Sequence, residues 1–207
     1  SWADQSGNGD VLSTASTAGA LLLANALNNR AAVRLASTPL LGTVPGKLSG
    51  SAPFQFLAVV RLAAVDNLNL LGYGTDDQGG AIADMIAFNG LICMHTCGNK
   101  IPAGTNSENS PVAPATPAIG TFGIVGIRYD GTSATSYTNA TGLSEPYPIY
   151  RAGQADTVLT VGGGHYQNTP GSDFYEGTCD FAAVIINEYD TDTWQADLVA
   201  LQERYAL

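Results

Sequence analysis

The run Phe54-Gln55-Phe56-Leu57-Ala58-Val59-Val60-Arg61-Leu62 alternates with a period of two. In a strand, successive side chains point to opposite faces. One face then carries Phe54, Phe56, Ala58, Val60 and Leu62, and the other carries Gln55, Leu57, Val59 and Arg61. The second face is polar at its ends and apolar in its middle, as in a strand of a packed sandwich. Further strands are predicted at Ala31–Ala36, Leu68–Tyr73, Ile82–Phe88, Leu91–Met94, Phe122–Tyr129, Ser133–Asn139, Thr157–Val161 and Phe181–Asn187, punctuated by Gly, Pro, Asn and Asp. Many short strands and few helices indicate an all-β chain, an antiparallel jelly-roll sandwich.

One helix interrupts this pattern. Trp194, Leu198, Leu201 and Tyr205 form an i, i+4, i+7, i+11 stripe. Thr191 or Asp192 is read as its cap, with Asp192-x-x-Gln195 resembling a capping box. The stripe is expected to pack over a sheet edge or the end of the sandwich. Two long loops remain, Gly98–Gly120 with four prolines and Gly162–Gly177 with Gly162-Gly163-Gly164, His165, Tyr166 and Tyr175. Loops of this length are read as functional or assembly elements. No linker divides the 207 residues, so 1–207 is expected to be one domain.

Composition removes several functions. The net charge is −10, from 8 Lys+Arg against 18 Asp+Glu, and the only lysines are Lys47 and Lys100. Nucleic-acid binding needs clustered cations, so no nucleic-acid partner is expected. No apolar run reaches 18 residues, Ala18–Leu23 being among the longest, so no membrane span is expected. Low charge with abundant Ala, Gly, Ser and Thr reads as an extracellular or particle-bound structural protein.

Four segments in order resemble the concanavalin A-like lectin/glucanase superfamily in its laminin-G-like jelly-roll branch. Trp2-Ala3-Asp4-Gln5-Ser6-Gly7-Asn8-Gly9 resembles the family's W-x-D-x-S-G-N-G turn, and Asn25 to Leu35 resembles its L-N-G-K-P-A-V-R-F stretch. Tyr129-Asp130-Gly131-Thr132 with Tyr137-Thr138-Asn139 fits its D-G-T hairpin, and Phe174–Ile186 followed by the helix fits its close. Ala183 stands where many relatives carry an acid, and the spacing from Gly177 to Val184 is longer than usual. The family has a further strand ahead of the Trp turn, which is expected to be missing here or supplied by upstream sequence. The resemblance implies a shared fold over lectins, glucanases, adhesion modules and phage structural proteins, not one activity.

Retaining glucanases of this superfamily carry E-x-D-x-E on one strand, which sets two carboxylates on one face. The five glutamates, Glu108, Glu145, Glu176, Glu188 and Glu203, have no such partner, and Asp76-Asp77 reads as a turn. Only His95 and His165 could act as a base, there is no G-x-S-x-G, and the triple glycine lacks the Lys-Ser/Thr of a phosphate loop. No enzymatic activity is expected. Cys93-Met94-His95-Thr96-Cys97 invites zinc, but C-x₃-C is not the usual knuckle spacing; buried thiols or a bridge to Cys179 are the other readings. Calcium is the better ion: the Asp4–Asp10 turn offers hard oxygens from Asp4 and Asn8, and the resemblance adds a later acid, Asp180. The alternative is that these side chains hold the turn's own backbone. Tyr147, Tyr150, Tyr166 and Tyr175 are the candidate glycan platforms.

The expectation is a non-enzymatic, surface-exposed structural or recognition module, a capsid decoration or tail protein at a virion surface. It would be oligomeric or part of a longer chain, with protein neighbours met through Gly98–Gly120 or the chain start. The alternatives are a carbohydrate-binding adhesin or lectin module, and then a divergent glycoside hydrolase or lyase.

Overall fold

The computed structural model of the chain describes residues 2–3, 11–13, 20–36, 39–43, 52–63, 68–73, 82–88, 91–97, 109–113, 119–148, 158–162, 164–166, 169–173 and 178–207. In chain order the strands are β1 (Trp2–Ala3), β2 (Val11–Leu12), β3 (Ala20–Leu27), β4 (Arg30–Ala36), β5 (Leu40–Thr43), β6 (Phe54–Leu62), β7 (Leu68–Tyr73), β8 (Ile82–Phe88) and β9 (Leu91–Cys97). Then come β10 (Asn109–Ala113), β11 (Phe122–Tyr129), β12 (Ser133–Thr138), β13 (Gly142–Leu143), β14 (Tyr147–Pro148), β15 (Val158–Val161), β16 (Gly164–Tyr166), β17 (Thr169–Asp173) and β18 (Thr178–Glu188). Helix α1 (Thr191–Tyr205) follows.

The strands form an antiparallel jelly-roll sandwich of two main sheets. An eight-stranded sheet runs β13-β12-β11-β6-β18-β4-β3, with β14 beside β12. A six-stranded sheet runs β10-β9-β8-β7-β15-β5. The core lies between them: Phe54, Phe56, Ala58, Val60 and Leu62 of β6 meet Val125, Ile127, Phe181 and Cys179 of their own sheet and Leu70, Leu71, Leu159 and Val161 of the other. Antiparallel alternation thus sends the five predicted residues of β6 inward.

The other face of β6 is covered too, which explains its apolar middle. Leu57 and Val59 pack with Ala32, Ile124, Tyr137 and Ala182 against Trp194, Leu198, Leu201 and Tyr205. The helix therefore lies across the middle of the outer face of the eight-stranded sheet, not over an edge or the sandwich end as expected. Its four-residue stripe needs a flat apolar patch of matching length, and only the central strands supply one. Its cap is Asp190, whose Oδ1 accepts from Thr193 N at 2.9 Å. The expected caps, Thr191 and Asp192, already lie within the first turn.

Local sequence explains the connections. Asn28 and Asn29, at φ 49° and 61°, turn β3 into β4 through two left-handed residues, the hairpin geometry that asparagine tolerates. Asp130 closes the β11–β12 hairpin by accepting from Thr132 N and Oγ1 and from Ser133 N. The lengthened spacing before Val184 is a bulge: Phe181 pairs with Val60 and Ala183 with Val59, leaving Ala182 as the extra residue. Both long loops contain strands. β10, carrying Pro111, forms an edge of the six-stranded sheet, where a missing N–H costs no ladder bond. β16 and β17 pair with each other beside β7 and β15. Among the described residues no helix is long and apolar enough to cross a membrane.

Candidate functional site

Register across the eight-stranded sheet builds one charged row. Asp180 of β18 pairs with Arg34 of β4 on one side and Arg61 of β6 on the other. Arg34 in turn pairs with Leu21 of β3, and Arg61 with Phe122 of β11. Cys179 and Phe181 point into the core, so Asp180 between them lies on the outer face. This row is one step along each strand from Ala32, Ala182, Val59 and Ile124, the residues beneath the helix. The Arg34 and Arg61 side chains of this row remain 41% and 28% exposed.

The contacts within the row are charge-assisted hydrogen bonds. Arg34 Nε donates to Asp180 Oδ1 at 2.7 Å, and Nη2 to Oδ2 at 3.0 Å. Arg61 Nε and Nη2 donate to Oδ2 at 2.8 and 2.5 Å. The Arg61 guanidinium also lies 4.7 Å from the centre of the Phe122 ring. The Asp180 side chain is 3% exposed, against 41% for Arg34 and 28% for Arg61. Burial works against an ionised Asp180, but the hydrogen bonds and charges of Arg34 and Arg61 outweigh it and hold the carboxyl below its ordinary range. The same bonds raise the pKa of Arg34. The carboxylate is saturated, so the row can hold an anion but has no free base or nucleophile.

A second polar group sits under the helix. Asp197 Oδ2 accepts from Gln55 Nε2 at 2.7 Å and Asn187 Nδ2 at 2.9 Å. Burial raises its pKa despite those two bonds. Gln55 Oε1 is buried without a partner. This group fastens the helix to the sheet rather than facing a ligand.

Those residues singled out from sequence that the structure describes are dispersed. Asp180, the later acid of the calcium reading, is held by two guanidinium groups, and calcium there would have to displace both. Asp4 and Asn8 lie outside the described residues, as do Tyr150 and Tyr175. Tyr147 is in β14, paired with Ala134 in the eight-stranded sheet, whereas Tyr166 is in β16, paired with Thr169. The two belong to different sheets. β9 is extended, which separates Cys93 from Cys97 by about 13 Å and removes the zinc-knuckle geometry. It also lies in the sheet opposite β18, and the buried Cys179 thiol is free, so the bridge to Cys179 is absent. Among the described residues no three metal-binding side chains gather. Backbone register does align Asn109, His95 and Asp84 across β10, β9 and β8.

Sequence reading missed Arg34 and Arg61. Each is a charge inside a largely apolar strand, and such a charge needs a partner when the strand is buried. That signal was present; the partner's identity depends on register between strands 119 and 146 residues apart.

No protein-family model matches the chain, and no curated protein matches it. Solved structures do match. The binding domain of botulinum neurotoxin serotype D superposes with a TM-score of 0.62 at 10% identity, over 96% of this chain and 48% of that one. The binding domain of botulinum neurotoxin DC, in complex with rat synaptotagmin II, gives 0.62 at 11% identity over 98% and 49%. That of serotype D/C VPI 5993 gives 0.63 at 10% identity over 98% and 50%. The chain spans about half the length of these domains. At such identities the likeness establishes the fold alone, an antiparallel jelly-roll β-sandwich.

Proposed function

We propose that residues 1–207 form a single laminin-G-like domain that acts as a non-enzymatic recognition module on the surface of a larger assembly, of the virion decoration or tail type. The observation that carries this reading is the charged row at Arg34, Asp180 and Arg61. Its one carboxylate is consumed by two guanidiniums, so the row offers donors and positive charge but no acid–base pair. Structures of the same fold that are themselves binding domains, one of them in complex with rat synaptotagmin II, support a binding role. The low-charge, small-residue composition supports an extracellular or virion-surface setting.

Incubating the chain with a polysaccharide panel tests the recognition part. Retention without release of new reducing ends is the expected result, and turnover of any polysaccharide overturns it. The assembly part is tested on the native source. The protein should sediment with a particle, and recovery only as a lone monomer refutes that part.

A further inference from the structure

We propose that the open row on the eight-stranded sheet binds the anionic group of an acidic saccharide, with Arg34 and Arg61 as its fork. This rests on the binding-module reading and names the ligand class for it. One arginine would neutralise Asp180; the second leaves the row with a surplus of one positive charge, in a chain whose net charge is −10. Charges more than about 8 Å away are largely screened at physiological salt, so an arriving anion responds to this local surplus rather than to the chain's total.

The fork is prepared for a ligand. Each guanidinium has five N–H donors and gives only those of Nε and Nη2 to Asp180. Nη1 of each is left over. The buried side-chain atoms without partners among the described residues are Gln55 Oε1 and Ser136 Oγ, so both Nη1 groups reach solvent. Bidentate bonding to Asp180 and the Phe122 ring fix the two planes in advance, which removes most of the ordering cost of gripping an anion. A carboxylate or a sulfate presents the oxygens that two such donors need.

The surroundings favour a saccharide over an acidic protein face. The row lies beside the helix, which stands about 10 Å above the sheet and holds a flat protein surface away. A single sugar chain fits beside that ledge. Leu21, 56% exposed, and Phe122 bound the row with apolar surface suited to the C–H face of a sugar ring.

The test measures binding of the whole chain to polygalacturonate, dextran sulfate and neutral dextran by interferometry. Two variants accompany it. Arg34→Gln removes half of the fork. Leu21→Glu leaves the triad intact and places a carboxylate beside Arg34 at an exposed edge position, so it is not expected to disturb folding; thermal melts check both variants. The expected result is retention of at least one acidic polymer but not of dextran, weakened at least about tenfold by each variant and by added salt. Polygalacturonate alone assigns a carboxylate ligand and dextran sulfate alone a sulfate. No acidic binding, or binding that neither variant changes, overturns the proposal. Variant-insensitive retention of dextran or of a protein overturns the site and leaves the module reading standing, while turnover of a polymer overturns both.

Discussion

Gly126 lies beneath the Trp194 ring, and replacing it tests how helix and sheet are joined. Gly126 pairs with Leu57 on one side and Tyr137 on the other, directly under Trp194. A Cβ there would lie 2.6 Å from Leu57 Cδ2, 2.9 Å from Phe56 O and 2.9 Å from Trp194 Cη2. Carbon contacts are normally about 3.5–4.0 Å. Leu57 can rotate and Trp194 can move with the helix, but the Phe56 carbonyl belongs to the central strand and cannot. Overpacking costs about 1–3 kcal/mol, and the fixed carbonyl places Gly126→Ala near the upper end. The entropic gain of replacing glycine in a strand returns about 0.5–1 kcal/mol. The net loss is about 2 kcal/mol, or roughly 4–8 °C in Tm for a chain of this size. Urea unfolding followed by tryptophan fluorescence measures it. Repeating the substitution in a Trp194→Leu background removes one of the three obstructing atoms and should reduce the loss by about 1 kcal/mol. A stability change within about 0.5 kcal/mol, or an equal loss in both backgrounds, would refute the argument.

Four further expectations rest on other parts of the molecule. Asp180 and Asp130 titrate below the ordinary carboxylate value, so their stabilising contribution is complete above about pH 4 and is lost as pH falls through their lowered values; the advantage of the native chain over Asp180→Asn in urea midpoint should shrink over that range, and an unchanged gap contradicts the ion triad. Asp197 has the opposite sign: its raised pKa means stability present at low pH and lost as pH rises through that value, so Asp197→Asn should gain stability relative to the native chain as pH climbs from about 4 through the raised value. Burial, and next the charge of Asp180, push the Cys179 thiol well up; in a Cys93→Ser/Cys97→Ser background, a thiol reagent at pH 8 should label it only as fast as the chain opens. Tyr205 Oη donates to Ala182 O at 2.8 Å in a buried position, so Tyr205→Phe should cost about 1–2 kcal/mol by urea unfolding, and a neutral substitution would show that the bulge needs no such bond.

Period-two alternation carried most of the fold because it reports burial directly. β7, β8 and β11 fall where Leu68–Tyr73, Ile82–Phe88 and Phe122–Tyr129 alternate, and the four stripe residues of α1 are the four it buries. What escaped lacked that signal. β3 is an edge strand with Leu21 and Leu22 both exposed, so its apolar run Ala-Leu-Leu-Leu has no alternation to read. β10 contains a proline and β16 begins on the last of three glycines, and both residue types argue locally for loops. The cap shifted because Asp190, Thr191 and Asp192 are three consecutive good caps, and the choice among them depends on which N–H groups the helix leaves free.

The charged row and the covered face have one origin. Five strands, β3, β4, β18, β6 and β11, continue beyond the residues that pack against α1. Apolar residues stand where the helix lies: Ala32, Ala182, Val59 and Ile124. One step further along each strand the same outer face carries Arg34, Asp180, Arg61 and Phe122, because no helix is there to desolvate them. The position of the candidate site is therefore set by where the helix packs and by strand register together. Extending apolar character into this row by replacing Arg34 and Arg61 would enlarge an exposed hydrophobic patch without giving the helix anything more to cover, while stranding Asp180 without a counter-charge. Keeping charges there, and pairing the single acid twice, lets one sheet serve as the helix's platform and carry an exposed charged row.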